Sequence, residues 1–139
     1  MSQSYSAAAT ALGGRSGFAS SSDGRLKVEL STPAALGGDD GPGTNPEQLF
    51  AAAHAASLLG AIKQVANARG IKVPADSNVT ATIAIDRDDG NPMRLSVALA
   101  ADIPCIDVAE ATQIVQEAMR ICPIARSTGD YVSATVNVD

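Results

Sequence analysis

Six side chains in this sequence carry the chemistry to act on a substrate: Arg15, Glu47, His54, Ser57, Cys105 and Cys122. A cysteine supplies a thiolate nucleophile and reversible oxidation. Cys105 and Cys122 bracket a predicted helix whose rise puts them roughly 22 Å apart, while a disulfide needs Cα atoms within about 7 Å. They are therefore not expected to pair within one chain. Cys122 falls on the apolar stripe of that helix, where a free cysteine acts as a small buried hydrophobe. Ser57 sits inside the apolar run LFAAAHAASLLGAI. Its hydroxyl can bond the carbonyl four residues back, or stand with His54 on the same helix face as a hydrolase pair. No G-x-S-x-G elbow surrounds it and no acid is marked to orient the imidazole. His54 is accordingly expected to be a helix residue with a structural hydrogen bond. Arg15 is mounted between Gly13-Gly14 and Ser16-Gly17, a flexible setting that suits either an anion or plain solvent. Glu47 has a sufficient role beside the positive end of a helix dipole. A single His and two Cys leave no credible metal cluster.

The elements that must position these residues are legible in the pattern. Tyr5, Ala7, Ala9 and Ala11 share one face of a first weak strand, and Leu26, Val28 and Leu30 alternate with Lys27 and Glu29 as a half-buried strand. Asp23-Gly24 before it reads as a hairpin turn. Residues 33–45 are rich in Gly, Pro and Asp and read as a loop. Thr44-Asn45-Pro46-Glu47 then opens a helix that runs to Arg69 and stops at Gly70. Its first half is apolar nearly all round, more than so short a chain can cover, which suggests a partner subunit. Val79, Ala81, Ile83 and Ile85 form an alternating strand, turned by Asp88-Asp89-Gly90-Asn91-Pro92 into a second, Met93 to Ala101. Asp107 to Glu110 resembles a capping box. Ala111, Ile114, Val115, Ala118 and Cys122 recur at helical spacing until Pro123, and Val132, Ala134, Val136 and Val138 close the chain as a strand. The order predicts one α+β domain over residues 1–139, its two main helices stacked on antiparallel sheet.

Composition narrows the function classes. The chain has 139 residues, 26 of them Ala, with no Trp and a net charge of −5. An acidic chain short of aromatics offers neither clustered cations for phosphates nor a stacking platform for bases, so nucleic acid is not an expected partner. The N-terminal residues have no basic or apolar segment of a signal peptide. The apolar run Leu49 to Ile62 covers 14 residues, against roughly 20 for a membrane span. A cytoplasmic protein with no membrane partner is expected.

Taken together, Gly13-Gly14-Arg15, Ser21-Ser22-Asp23-Gly24, Leu36-Gly37-Gly38, the segment GTNPEQLFAAA at residues 43–53 and Ile121-Cys122-Pro123 resemble the organic hydroperoxide resistance (Ohr) proteins of the OsmC/Ohr family. The resemblance runs in order over nearly the whole chain. Ala53-His54-Ala55-Ala56 is more like the OsmC branch, while Arg15 and the double glycine favour Ohr. It implies an intertwined homodimer of OsmC/Ohr fold that reduces alkyl or fatty-acid hydroperoxides with a cysteine pair. No bound cofactor is implied, and a lipoylated protein or dihydrolipoamide would return the reducing equivalents. The resolving cysteine corresponds to Cys122, the activating arginine to Arg15 and its carboxylate partner to Glu47. The peroxidatic cysteine, eleven positions after the Pro of TNPEQ, corresponds to Ser57.

That single departure is chemically decisive. Attack on a peroxide needs a thiolate, and the sulfenic acid it leaves condenses with a second thiol; a serine hydroxyl does neither, so the chain as written is expected to be inactive. Two origins are open, an engineered Cys→Ser exchange or a natural non-catalytic relative, and the survival of Arg15, Glu47 and Cys122 favours the first. Phe18, Phe50 and Met119 are candidates to receive the substrate's apolar tail. Ser57 lies ten residues beyond Glu47 on one helix, a rise of about 15 Å. If Glu47 is to hold Arg15 beside residue 57, it should come from the twofold-related helix. Against this reading stand a binding protein that holds a lipid or acyl ligand in the same interface pocket without chemistry, and more distantly a hydrolase built on Ser57. Cys105 has no counterpart in the family pattern.

Overall fold

The computed structural model describes residues 3–86 and 93–128, and the backbone of 132–137. The expected turn at 88–92 and Val138 lie outside these residues. Two compact units divide the chain, Met1–Leu49 and Phe50–Asp139.

The first unit is an antiparallel meander of β1 (Ala9–Leu12), β2 (Gly17–Ser21) and β3 (Lys27–Leu30), in that order. β1 begins four residues later than Tyr5, which is exposed outside any strand. Its length is set by its partner: Ala9 pairs with Ser21, the last residue of β2, and Leu12 with Phe18. Gly13 and Gly14 both take positive φ, 80° and 68°, so the four-residue connection 13–16 reverses the chain through two positions where a side chain would be strained. A Cβ on Gly17 would collide with the Leu12 carbonyl oxygen, so the turn closes only on glycine there. The β2–β3 hairpin turns at Asp23-Gly24 as expected; Asp23 accepts from the Arg25 amide at 3.0 Å and from the Ser21 hydroxyl at 2.6 Å. A short 3₁₀ turn, Ala34–Leu36, interrupts the 33–45 loop.

Helix α1 spans Pro46–Ala68. Asn45 starts it, its Oδ1 accepting from the Gln48 amide at 2.8 Å, the role an N-cap amide performs. Gly70, at φ 72°, ends it. There the Gly70 amide donates to the Asn67 carbonyl and the Ile71 amide to the Ala66 carbonyl, at 3.0 and 2.9 Å, the bond pair of a Schellman closure. At 23 residues α1 meets the length and hydropathy of a membrane span, a test that the core helix of a folded domain also passes. Leu58, Ala61, Ile62, Val65 and Ala66 are buried. Ala52, Ala53, Ala56 and Gly60 share another face and are exposed.

In the second unit β4 (Asn78–Asp86) pairs antiparallel with β5 (Arg94–Asp102), from Asn78 opposite Asp102 to Asp86 opposite Arg94. Helix α2 (Val108–Ile121) is capped by Asp107, whose carboxylate accepts from the Ala109 and Glu110 amides. A third helix, α3 (Pro123–Thr128), follows directly and was not expected. β6 (Val132–Asn137) then pairs with β5, and it does so in parallel. The reason is the connection: β5 and β6 are joined by a helical crossover, which returns the chain in the same direction. The core packs α1 and α2 on β5: Leu58, Ile62, Val97, Leu99, Ile114 and Val115 are at most 3% exposed. At about 1.5 to 3 kcal/mol for each fully buried aliphatic side chain, this cluster dominates the stabilisation of the unit.

Candidate functional site

Arg15 and Glu47 meet within one chain, 32 residues apart in sequence. Arg15 Nη1 donates to Glu47 Oε2 at 3.0 Å and Nη2 to Oε1 at 2.6 Å, the two-pronged geometry that suits a planar guanidinium. The Gly13-Gly14 turn presents the arginine, and the Ser16 hydroxyl holds the same loop to Thr32 Oγ1 at 2.7 Å. Glu47 is placed by the first turn of α1. Its hydrogen bonds with Arg15 hold its carboxyl below the ordinary value, more than burial raises it. The same bonds raise the guanidinium, so both groups are charged throughout the physiological range.

Ser57 and Cys122 form the second pair. Ser57 Oγ lies 3.3 Å from Cys122 Sγ; Ser57 is half-buried and Cys122 fully so. α1 supplies the hydroxyl from its middle. Cys122 is placed from both sides: its amide donates to the Ala118 carbonyl at 2.8 Å, closing α2, and its carbonyl accepts from the Arg126 amide at 3.0 Å, opening α3. Pro123 suits that junction because a first helical position has no use for an N–H. Burial of Cys122 on the α2 stripe follows the expectation.

His54 departs from expectation. It is fully buried, its ring edge-on to Phe50 with centroids 6.0 Å apart, and among the described residues neither ring nitrogen has a hydrogen-bond partner. The expected structural hydrogen bond is therefore not found among the described residues, nor is a His54–Ser57 pair, because the imidazole turns into the apolar packing. That burial pushes its pKa down. Of the three apolar candidates, Phe18 is 64% exposed and lines a hollow of about 360 Å³ on β2 and β3, while Phe50 and Met119 are partly buried against the core of the second unit. Both cysteines are free; Cys105 is exposed, with a φ of 65° that non-glycine residues seldom adopt.

A charged cluster that no sequence motif announces joins the end of α1 to α2. Arg69 donates to Glu117 Oε2 at 2.7 Å and to Glu110 Oε1 and Gln113 Oε1 at 3.4 Å. The one hint in the sequence is spacing, since Glu110, Gln113 and Glu117 recur on one face of α2.

Fold and sites together define a small α+β protein with a paired guanidinium–carboxylate and a paired hydroxyl–thiol. Residues 37–137 match the family of OsmC-like proteins. The chain is 41% identical to the organic hydroperoxide resistance protein of Xanthomonas axonopodis pv. citri over 96% of its length and 94% of that protein's. It is similar to the crystal structure of an organic hydroperoxide resistance protein from Legionella pneumophila, with 36% identity, a TM-score of 0.89 and 99% of each chain covered. The Bacillus subtilis protein OhrB gives 33% identity and a TM-score of 0.83 over 97% of this chain and 98% of its own. The chain belongs to the OsmC/Ohr family, with organic hydroperoxide resistance proteins among its relatives.

Proposed function

We propose that this chain is a thiol-dependent organic hydroperoxide reductase in scaffold, arrested at its nucleophile by Ser57. The observation that carries the reading is the 3.3 Å approach of Ser57 Oγ to Cys122 Sγ, the spacing a peroxidatic and a resolving sulfur require before they bond. With cysteine at 57, its thiolate attacks the distal oxygen of ROOH. The O–O bond breaks, the alkoxide takes a proton and leaves as ROH, and the sulfur becomes a sulfenic acid. The Cys122 thiol attacks that sulfur, the S–O bond breaks, and water leaves as the disulfide forms. An external dithiol of the lipoyl type exchanges with the disulfide and restores both thiols. Arg15 is assigned to favour the thiolate and orient the peroxide, with Glu47 holding it in place.

We read the two units as parts of a single domain and the working form as a homodimer in the cytoplasm, where a thiol such as Cys122 stays reduced. The exposed face of Ala52, Ala53, Ala56 and Gly60 suits a close crossing with its own copy. The ten-residue spacing along α1 then assigns the Arg15–Glu47 pair serving one Ser57 to the partner chain. The substrate tail is assigned to Phe18, Phe50 and Met119.

The test is Ser57→Cys, assayed for loss of tert-butyl or fatty-acid hydroperoxide with dihydrolipoamide as reductant. The variant should turn over while the Ser57 chain stays at background. A variant no more active than the Ser57 chain rejects the reading. The competing assignment, a non-catalytic carrier of a lipid or acyl ligand, predicts that inactive outcome together with a copurified ligand in native mass spectrometry.

A further inference from the structure

The end of α1 carries a second feature, which uses none of the residues assigned above. Gly70 reverses the chain, so that residues 71–73 fold back beside the last two turns of the helix. Between them lies a hollow of about 710 Å³ lined by Lys63, Gln64, Asn67, Ile71, Lys72 and Val73, with Gly70 at the bend. This volume lies within the range of about 300 to 1,000 Å³ found for small-molecule sites.

Its chemistry is unlike the rest of the chain. Acidic side chains outnumber basic ones by 15 to 10 overall, yet among the described residues the only charged groups lining this hollow are two lysines. Among the described residues neither lysine joins an ion pair, whereas the neighbouring Arg69 is fully engaged by Glu110 and Glu117. The carboxamides of Gln64 and Asn67 add neutral donors. The helix end does not oppose an anion as strongly as a bare C-terminus would, because the Schellman bonds already occupy the Asn67 and Ala66 carbonyls. Ile71 and Val73, both packed on the core, supply a fixed apolar wall.

We propose that this hollow is a binding site for a small amphipathic carboxylate, its charge held by Lys63 and Lys72 and its hydrocarbon part laid on Ile71 and Val73. Ammonium groups on flexible stems suit a point anion, and the wall selects against fully polar anions.

The experiment is a titration of the full chain, observed by amide ¹H–¹⁵N spectra, with octanoate, 1-octanol and inorganic phosphate as separate probes. Octanoate should shift the amides of residues 63–73 saturably, with affinity that falls as salt is raised. In Lys63→Met/Lys72→Met the affinity should drop about tenfold, the loss of two partly exposed ion pairs. Lys63→Arg/Lys72→Arg, which keeps both charges, should retain binding and so separates charge from folding. Equal binding of octanol and octanoate, or phosphate as strong as octanoate, overturns the proposal, as does the absence of a saturable shift at these amides. Hydroperoxide turnover in Ser57→Cys does not bear on the outcome.

Discussion

Ser57 Oγ and Cys122 Sγ stand 3.3 Å apart across 65 residues of sequence, one from the middle of α1 and the other from the joint between α2 and α3. A sulfur at position 57 needs to approach by little more than an ångström to reach bonding distance, about 2.05 Å. Ser57→Cys treated with an equivalent of organic hydroperoxide should therefore lose two hydrogens in intact mass, with Cys105 still free to alkylation. Ser57→Cys/Cys122→Ser should instead gain one oxygen and react with a sulfenic-acid probe. A restored cysteine that oxidises without joining Cys122 would break the proposed sequence of steps.

The Arg15–Glu47 pair makes a separate prediction about pH. Glu47 titrates below its ordinary 4.5 in the folded chain, so its contribution to stability is complete above 4.5 and is lost as pH falls through the lowered folded value. Arg15 is raised and stays charged through that window. Its side chain is 43% exposed, and solvent screening limits the pair to about 1 kcal/mol. Glu47→Gln should cost that amount in urea unfolding at pH 7, and the cost should shrink as pH falls below 4.5 and vanish once Glu47 is protonated in the folded chain. In the Ser57→Cys background it should also move the pH profile of hydroperoxide consumption upward, because a loosened guanidinium favours the thiolate less.

His54 supplies a second, opposed test. Its folded pKa lies below 6.5 through burial, while the unfolded chain binds a proton at about 6.5. Stability is thus full above 6.5 and falls as pH drops through the window down to the folded value, by at most about 1.4 kcal/mol per pH unit. His54→Phe keeps a ring against Phe50 and removes two nitrogens that have no partner among the described residues. Thermal unfolding of this variant should match or exceed the parent at pH 7.5 and widen its advantage at pH 5.5. An unchanged difference between the two pH values would contradict the assignment of a neutral, unpartnered imidazole.

Asp107 caps α2 by accepting from two amides. Asp107→Ala should lower stability by about 1 kcal/mol, measured by denaturant midpoint with an unchanged slope. Asp107 lies at the end of α2 opposite to Cys122, so the same variant in the Ser57→Cys background should leave disulfide closure unchanged.

How far the residues foretold the structure depends on what each local signal encodes. Asn45-Pro46 and Gly70 mark both ends of α1 because capping is a property of a few adjacent groups. The alternation of Val79, Ala81, Ile83 and Ile85 is read directly because strand faces repeat every second residue. The direction of β6 is not written in alternation, which is the same for parallel and antiparallel partners. α3 has six residues, fewer than two helical turns, so no periodicity announces it. The Ser57–Cys122 approach rests on long-range packing, and only likeness to a family pointed to it. For His54, residue type suggested a hydrogen bond, and the apolar surroundings of α1 overrode it.

The joint at Cys122 has a kinetic consequence. With its amide tied into α2 and its carbonyl into α3, the sulfur is mounted on backbone that has little room to swing, and residue 57 faces it from the interior of a long helix. Bond making between the two is then a matter of side-chain torsions within the packing, with no larger backbone rearrangement to wait for. An enzyme restored at position 57 should have no slow loop opening or helix unwinding between its oxidation steps, and its speed should be governed by the arrival of peroxide and of reductant.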